Sequence, residues 1–145
     1  MNNTIQSKDL SKEAPRSPYM QLGGFAILAR TIDKCRAVIA GTPGEYHFDC
    51  PVDKMLFGFK NINAEDFKAF VADGHTDEEI VEWVKTHGDE KTDDEIKAWS
   101  ESFRTNFSYS TNEWFIGECT RLGLDPVTNT LFDMLEVDDV ASFAK

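Results

Sequence analysis

The chain has 145 residues, of which 41% are hydrophobic and 12% aromatic, and a formal net charge of −11. This length and composition suit one domain with a packed core and exclude a chain that is disordered throughout. The sequence has no apolar run long enough for a membrane span and no secretion signal, so a bacterial-type cytoplasm is the expected location. Residues 61–103 carry thirteen acids against four lysines, a density that would repel polyanions and excludes a general nucleic-acid binder.

Residues 1–19 are predicted to form an extended arm, and residues 20–145 a single helical domain. Pro15 and Pro18 disfavour helix at the residues before them, and "LGG" at 22–24 is predicted to be a flexible joint.

A first helix follows, because apolar residues recur on one helical face: Phe25, Leu28, Ile32, Cys35 and Ile39. Gly41 and Pro43 are predicted to end it. The other sides are predicted to carry mainly its charged residues: Arg30, Asp33, Lys34 and Arg36.

Four more helices are predicted between residues 51 and 103. "VDKMLFGF" favours a short helix that ends at Gly58, and "AEDFKAFVADG" one that is capped by Asn63 and ends at Gly74. An internal echo follows, "TDEEIVEWV" from Thr76 and "TDDEIKAWS" from Thr92. In each copy a threonine precedes a glutamate by three residues, which is the pattern of a capping box at a helix start.

The C-terminal part of the chain is also predicted to be helical. Thr111 opens a helix in "TNEWFIGECTRLGLDP" that ends at Gly123, and a last helix follows Asn129 or Thr130. The end of this helix, "EVDDVASFAK", is acidic and is expected to fray unless Phe143 holds it in place.

Large or sulfur-containing residues of the helices are predicted to lie in the core. Trp83, Trp99 and Trp114 fall at core positions of three helices, and Cys35 and Cys119 lie on apolar helical faces as packing residues. No run shows the alternation of a sheet, and at most "GEYHF" forms one extended piece. The predicted fold is therefore all-α, a single compact domain of about six short helices with an extended N-terminal arm.

A family resemblance rests on an ordered series of motifs: PRSP, LGG, RTIDKCRA, GEY, CP-D and the later LFDMLEVDD. The series resembles a bacterial family, the domain of unknown function 5069, and the similarity spans nearly the whole chain. The resemblance implies a single, free-standing small domain. It transfers no catalytic residue and no ligand.

The segment "GEYHFDC" contains candidate metal ligands. If it is extended, Glu45, His47 and Asp49 project to one side, and imidazole with carboxylates suits a divalent metal such as zinc, iron or manganese. This spacing is not a standard metal signature, however. The preferred interpretation is an amphipathic strip whose aromatic residues, Tyr46 and Phe48, lie in the core.

Cys50 is a candidate nucleophile. Because Pro51 favours the first position of a helix, Cys50 can be the cap residue, where backbone N–H groups favour the thiolate form. His47 could then assist it, although such a pair also needs an orienting group and an oxyanion site. In the alternative, which is preferred, Asp49 is the cap and Cys50 is a small buried residue.

The arginines near the N-terminus are candidate anion ligands. If the arm folds over the first helix, Arg16 meets Arg30 or Arg36 around a carboxylate or phosphate. In the alternative, these arginines pair with Asp33, Glu45 or the acidic half of the same chain.

The sequence predicts a non-enzymatic domain that binds a protein partner or a small anionic ligand. The alternative is a small enzyme or a metal-binding protein with residues 45–50 as its reactive centre. The sequence leaves open the cofactor, the substrate and the oligomeric state.

Overall fold

Seven α-helices make up most of the fold in a computed structural model, which describes residues 7–144. They are α1 Leu28–Ala40, α2 Pro51–Lys60, α3 Ala64–Ala72, α4 Asp77–Thr86, α5 Asp93–Ser102, α6 Glu113–Leu122 and α7 Leu131–Phe143. Two short 3₁₀ turns, Phe103–Thr105 and Ser108–Thr111, connect α5 to α6. No strand occurs within residues 7–144. The predicted all-α fold of one compact domain is confirmed, with seven helices in these residues instead of about six.

The segment before α1 lies along the helical domain. Leu10 is 1% exposed, Pro15 and Pro18 are buried, and the Leu10 N–H donates to the Thr42 carbonyl at 2.9 Å. The Ile27 N–H donates to the Pro18 carbonyl at 2.9 Å. Residues 1–6 of the predicted arm lie outside the described residues, and the division of the chain at residue 19 stays a prediction.

The first helix begins later than the apolar pattern predicts. Leu22 and Phe25 exchange two backbone hydrogen bonds of 3.0 Å around Gly23 and Gly24, which both have positive φ. Glycine reaches this left-handed region without the steric cost of a Cβ, so a tight turn forms there and α1 starts only at Leu28. Ile39, predicted on the apolar face, is 42% exposed.

The capping boxes predicted from the internal echo are confirmed. In α4 the Glu79 N–H donates to Thr76 Oγ1 at 3.2 Å, and the Thr76 N–H donates to Glu79 Oε1 at 2.9 Å. In α5 the Glu95 N–H donates to Thr92 Oγ1 at 3.1 Å, and the reciprocal bond measures 2.8 Å. Each box satisfies two backbone N–H groups that have no acceptor inside the helix.

Two helix ends differ from the predictions. Helix α2 continues past Gly58 to Lys60, because Asn61 provides the left-handed cap with φ 55°. Helix α6 is capped by Asn112 and not by Thr111. Helix α7 is capped by Thr130, one of the two predicted starting residues, and its acidic end remains helical through Phe143.

The core contains fewer tryptophans than predicted. Trp83 and Trp99 are partly buried against it, but Trp114 is 58% exposed, so its predicted core position is wrong. Phe115 and Cys119, both 0% exposed, form the inward face of α6. Adjacent residues of a helix point about 100° apart, so Trp114 is turned towards the surface.

The helices are short. The longest, α1 and α7, have 13 residues each, and no helix within residues 7–144 is long and apolar enough to cross a bilayer.

Candidate functional site

A cleft of about 450 Å³ opens on the surface of the domain. It lies where the 44–50 loop and α1 meet the C-terminal helix α7. Its walls are largely apolar and its polar residues include two buried cations, Arg30 and Lys34, which are 4% and 3% exposed. A second cavity of about 170 Å³ has no charged side chain in its lining. The chemistry is therefore concentrated in the larger cleft.

Cys50 lines this cleft as the N-cap residue of α2. Its backbone is extended, with φ −77° and ψ 173°, and it forms a capping box with Asp53. The preferred prediction, in which Asp49 caps the helix and Cys50 is buried, is wrong. Asp49 has φ 61°, a left-handed turn conformation one residue before the cap, and Cys50 is only partly buried.

The Cys50 thiol contacts a buried amine. Lys34 Nζ lies 3.0 Å from Cys50 Sγ and 3.0 Å from Asp53 Oδ2. Asp53 is 0% exposed, and its carboxylate also accepts the Thr31 hydroxyl at 2.6 Å and the Asp49 N–H at 2.8 Å. Because several donors fix this carboxylate, it fixes the position of Lys34 in turn.

Lys34 and Asp53 were missed as site residues in the sequence. The charged residues of α1 were expected mainly on the sides away from its apolar face, and Asp33 and Lys34 are nevertheless only 5% and 3% exposed. A charged residue can be buried when it is paired. Lys34 and its partner Asp53 are 19 positions apart in the sequence, so their pairing leaves no periodic pattern from which it could be predicted. The available signal was Cys50 three residues before Asp53, which is the spacing of a capping box.

The predicted metal ligands are not arranged on a strand. Turns occupy residues 44–45 and 48–49, so the strand alternation that would align Glu45, His47 and Asp49 is absent. Within residues 7–144 no group of three or more His, Cys, Asp or Glu side chains could hold a metal ion. Glu45 and His47 are exposed at the cleft, and no hydrogen bond within these residues joins His47 to Cys50.

The three candidate anion-binding arginines all have carboxylate partners. Arg16 binds Asp33 at 3.0 Å and Asp77 at 2.8 Å, and Arg36 binds Asp77 at 3.0 Å. The positive charges of Arg16 and Arg36 are balanced by the negative charges of Asp33 and Asp77. This balance favours the alternative prediction, in which the arginines pair with acids of the same chain. The pKa of Asp77 is lowered, because hydrogen bonds and charge from its two arginines outweigh the effect of burial.

The third arginine belongs to a buried network beside the cleft. Arg30 binds Asp139 through two hydrogen bonds of 2.7 and 3.1 Å, and the Tyr46 hydroxyl donates to the same carboxylate at 2.8 Å. Burial and the neighbouring carboxylate raise the pKa of Tyr46. Tyr46 is therefore a hydrogen-bond donor to Asp139 at neutral pH, and the network is electrically balanced.

The sequence match covers nearly all of these elements. The family described as Domain of unknown function (DUF5069) has a sequence model that matches residues 12–141. The chain belongs to this family. The match spans Lys34, Cys50 and Asp53, whereas the cleft residues Ser142 and Phe143 lie beyond it. No curated protein matches the chain.

The other two cysteines of this DUF5069 domain are buried. Cys35 and Cys119 are each 0% exposed, as packing residues should be. Burial raises the pKa of Cys35 to about 12 and also raises that of Cys119. Of the three thiols, Cys50 alone combines partial exposure with a cation at hydrogen-bond distance. It is the thiol on which reactivity in this domain can depend.

Proposed function

We propose that the domain binds a small molecule in the cleft, with the apolar body of the ligand on the walls and a carbonyl group at the polar end. The observation that carries this proposal is the pair of buried cations, Arg30 and Lys34, in the lining of a largely apolar cleft. Ligand sites are typically concave, mostly apolar and equipped with a few fixed polar groups.

The charges in the cleft favour a carbonyl over a strongly charged anion. Arg30 is balanced by Asp139 and Lys34 by Asp53. The Lys34 ammonium has three donors, and Asp53 and Cys50 accept two of them. The third donor is available to an acceptor such as the oxygen of a carboxylate, an ester or an amide.

The walls supply the apolar contact. Leu10, Val52, Leu135 and Phe143 line the cleft, together with Trp114 on α6. An apolar ligand that packs against the exposed Trp114 ring would be stabilised, because part of the large ring surface is then removed from water. This wall suits a short aliphatic or aromatic body.

Two six-carbon probes test the proposal by nuclear magnetic resonance. Hexanamide and hexanoate share the apolar body and the carbonyl but differ in charge. We expect both to shift amide signals around the cleft, with hexanamide at least as effective as hexanoate, because the buried cations are already neutralised. Shifts that are spread over the surface, or none at all, would contradict the proposal.

A pair of variants on α7 locates the binding. Ser142→Trp places a large side chain in the cleft, whereas the adjacent Ala141, which is also exposed, is outside the lining. We expect Ser142→Trp to abolish the shifts and Ala141→Trp to retain them. Equal binding by both variants would place the ligand elsewhere.

A further inference from the structure

Cys50 and Lys34 line the cleft, and the buried carboxylate of Asp53 contacts Lys34. Cys50 Sγ is 3.0 Å from Lys34 Nζ, and Nζ is 3.0 Å from Asp53 Oδ2. A nucleophile in hydrogen-bond contact with a proton-transfer group, which a third group orients, is the arrangement of covalent catalysis. Lys34 occupies the position beside Cys50 in which His47 was predicted.

We propose that Cys50, Lys34 and Asp53 form a nucleophilic centre that hydrolyses a small acyl ester or thioester. The proposal rests on the proposed function, because the carbonyl of the bound ligand would be the group attacked. Cys50 is the nucleophile, Lys34 transfers the proton, and Asp53 is a positioning residue that holds Lys34.

The position of Cys50 supports this role. Capping by itself favours serine, threonine, asparagine or aspartate, so a thiol is not needed to begin α2. The same position places the sulfur beside the first-turn N–H groups of α2 and the positive end of the helix dipole. Both stabilise negative charge on the sulfur and on an oxyanion formed next to it.

The reaction balances with water as the second reactant. The Cys50 thiolate attacks the carbonyl carbon and forms a C–S bond, and the carbonyl π electrons move to oxygen. As they return, the bond to the leaving heteroatom breaks, and the Lys34 ammonium gives that atom a proton. Water then attacks the thioester while the neutral Lys34 amine accepts its proton. The C–S bond breaks, which releases the acid and restores the thiolate.

An activated ester tests the centre. In the presence of p-nitrophenyl hexanoate, we expect the wild-type chain to gain one hexanoyl group on Cys50, visible by intact mass and peptide mapping, and to release nitrophenol over repeated turnovers. Cys50→Ser keeps a good N-cap residue and should lose the acyl adduct and the turnover. Hydrolysis by Cys50→Ser at the wild-type rate would overturn the proposal.

Lys34→Met separates a catalytic lysine from a structural one. We expect it to slow acylation at neutral pH by roughly tenfold or more, because the proton-transfer group is gone, and to slow it much less at high pH, where hydroxide can accept the proton instead. If Lys34 had only a structural role, the ratio of the wild-type acylation rate to that of Lys34→Met would be the same at every pH. An unchanged rate at neutral pH would overturn the role of Lys34.

Since Lys34→Met leaves Asp53 buried without its cation, a second measurement uses the wild-type chain alone. We expect iodoacetamide to label Cys50 at neutral pH at least as fast in the folded protein as in the urea-unfolded chain, despite partial burial. Slower labelling in the folded protein would overturn the activated thiol.

If hexanamide binds and no acylation occurs, the proposal of a nucleophilic centre fails while the proposed function stands. If hexanamide does not bind, the proposed function fails.

Discussion

Replacement of Asp139 by asparagine tests the buried network that borders the cleft. Arg30 and Asp139 have side chains that are 4% and 10% exposed, and two hydrogen bonds of 2.7 and 3.1 Å join them. Asp139→Asn removes the charge that balances Arg30 and leaves a buried guanidinium without a carboxylate. Breaking a buried ion pair from one side typically costs about 3–5 kcal/mol.

Thermal unfolding followed by circular dichroism measures this loss. For a chain of this size 1 kcal/mol corresponds to about 2–4 °C, so the unfolding temperature should fall by roughly 6–20 °C. Asp138→Asn is the matched control, because the neighbouring Asp138 pairs with Arg121 through side chains that are 30% and 50% exposed. Exposed ion pairs contribute little, so this control should change the unfolding temperature only slightly.

Two results would refute the reasoning. One is an Asp139→Asn protein as stable as the Asp138→Asn control. The other concerns the double variant Arg30→Met with Asp139→Leu, which removes both charges and should recover much of the lost stability. No recovery would mean that the loss does not come from an unpaired buried charge.

Three further predictions concern stability. The pKa of Asp77 is lowered in the fold, so the stability that its carboxylate contributes is fully present above the unfolded pKa of about 4 and is lost as pH falls through the folded pKa. Urea unfolding should therefore show the stability gap between wild type and Asp77→Asn closing as pH falls below about 4, and a gap that stays constant would contradict this. Thr76→Ala and Thr92→Ala should each cost about 1 kcal/mol in urea unfolding, because each removes a helix cap, and equal stability would contradict the cap role. Gly88→Ala should lower the unfolding temperature more than Gly41→Ala, because both glycines have positive φ but only at Gly88 would the new Cβ clash with a backbone oxygen, that of Lys60. The opposite order would contradict this.

The helices could be predicted where the signal is local. A threonine cap and a glutamate three residues later determine the starts of α4 and α5, and both capping boxes are present as predicted. The start of α1 was placed too early, because apolar spacing continues through Phe25 while the Gly23–Gly24 turn interrupts the backbone. Helix ends that depend on backbone conformation are therefore harder to predict than helices themselves.

The site could be predicted only in part. Cys50 was identified from its position before Pro51, but its partners were not, because Lys34 and Asp53 come together through the packing of α1 against α2. The apolar pattern places the charged residues of α1 away from its apolar face but does not tell whether they are exposed, and ion pairing allows Arg30 and Lys34 to be buried beside the cleft. Pairing of the arginines with acids of the same chain was one of the two predictions for them. The charge distribution alone does not tell which acid each arginine contacts, because many acids are available in the chain.

The central claim is that ligand binding and the reactive thiol share one cleft. Protection of Cys50 from iodoacetamide by hexanamide tests it most directly, with the labelled residue identified by peptide mapping. The account predicts that labelling of Cys50 slows over the same hexanamide concentrations at which the amide shifts of the protein approach their limit. It also predicts that Ser142→Trp removes this protection. An unchanged labelling rate at saturating hexanamide would contradict the claim.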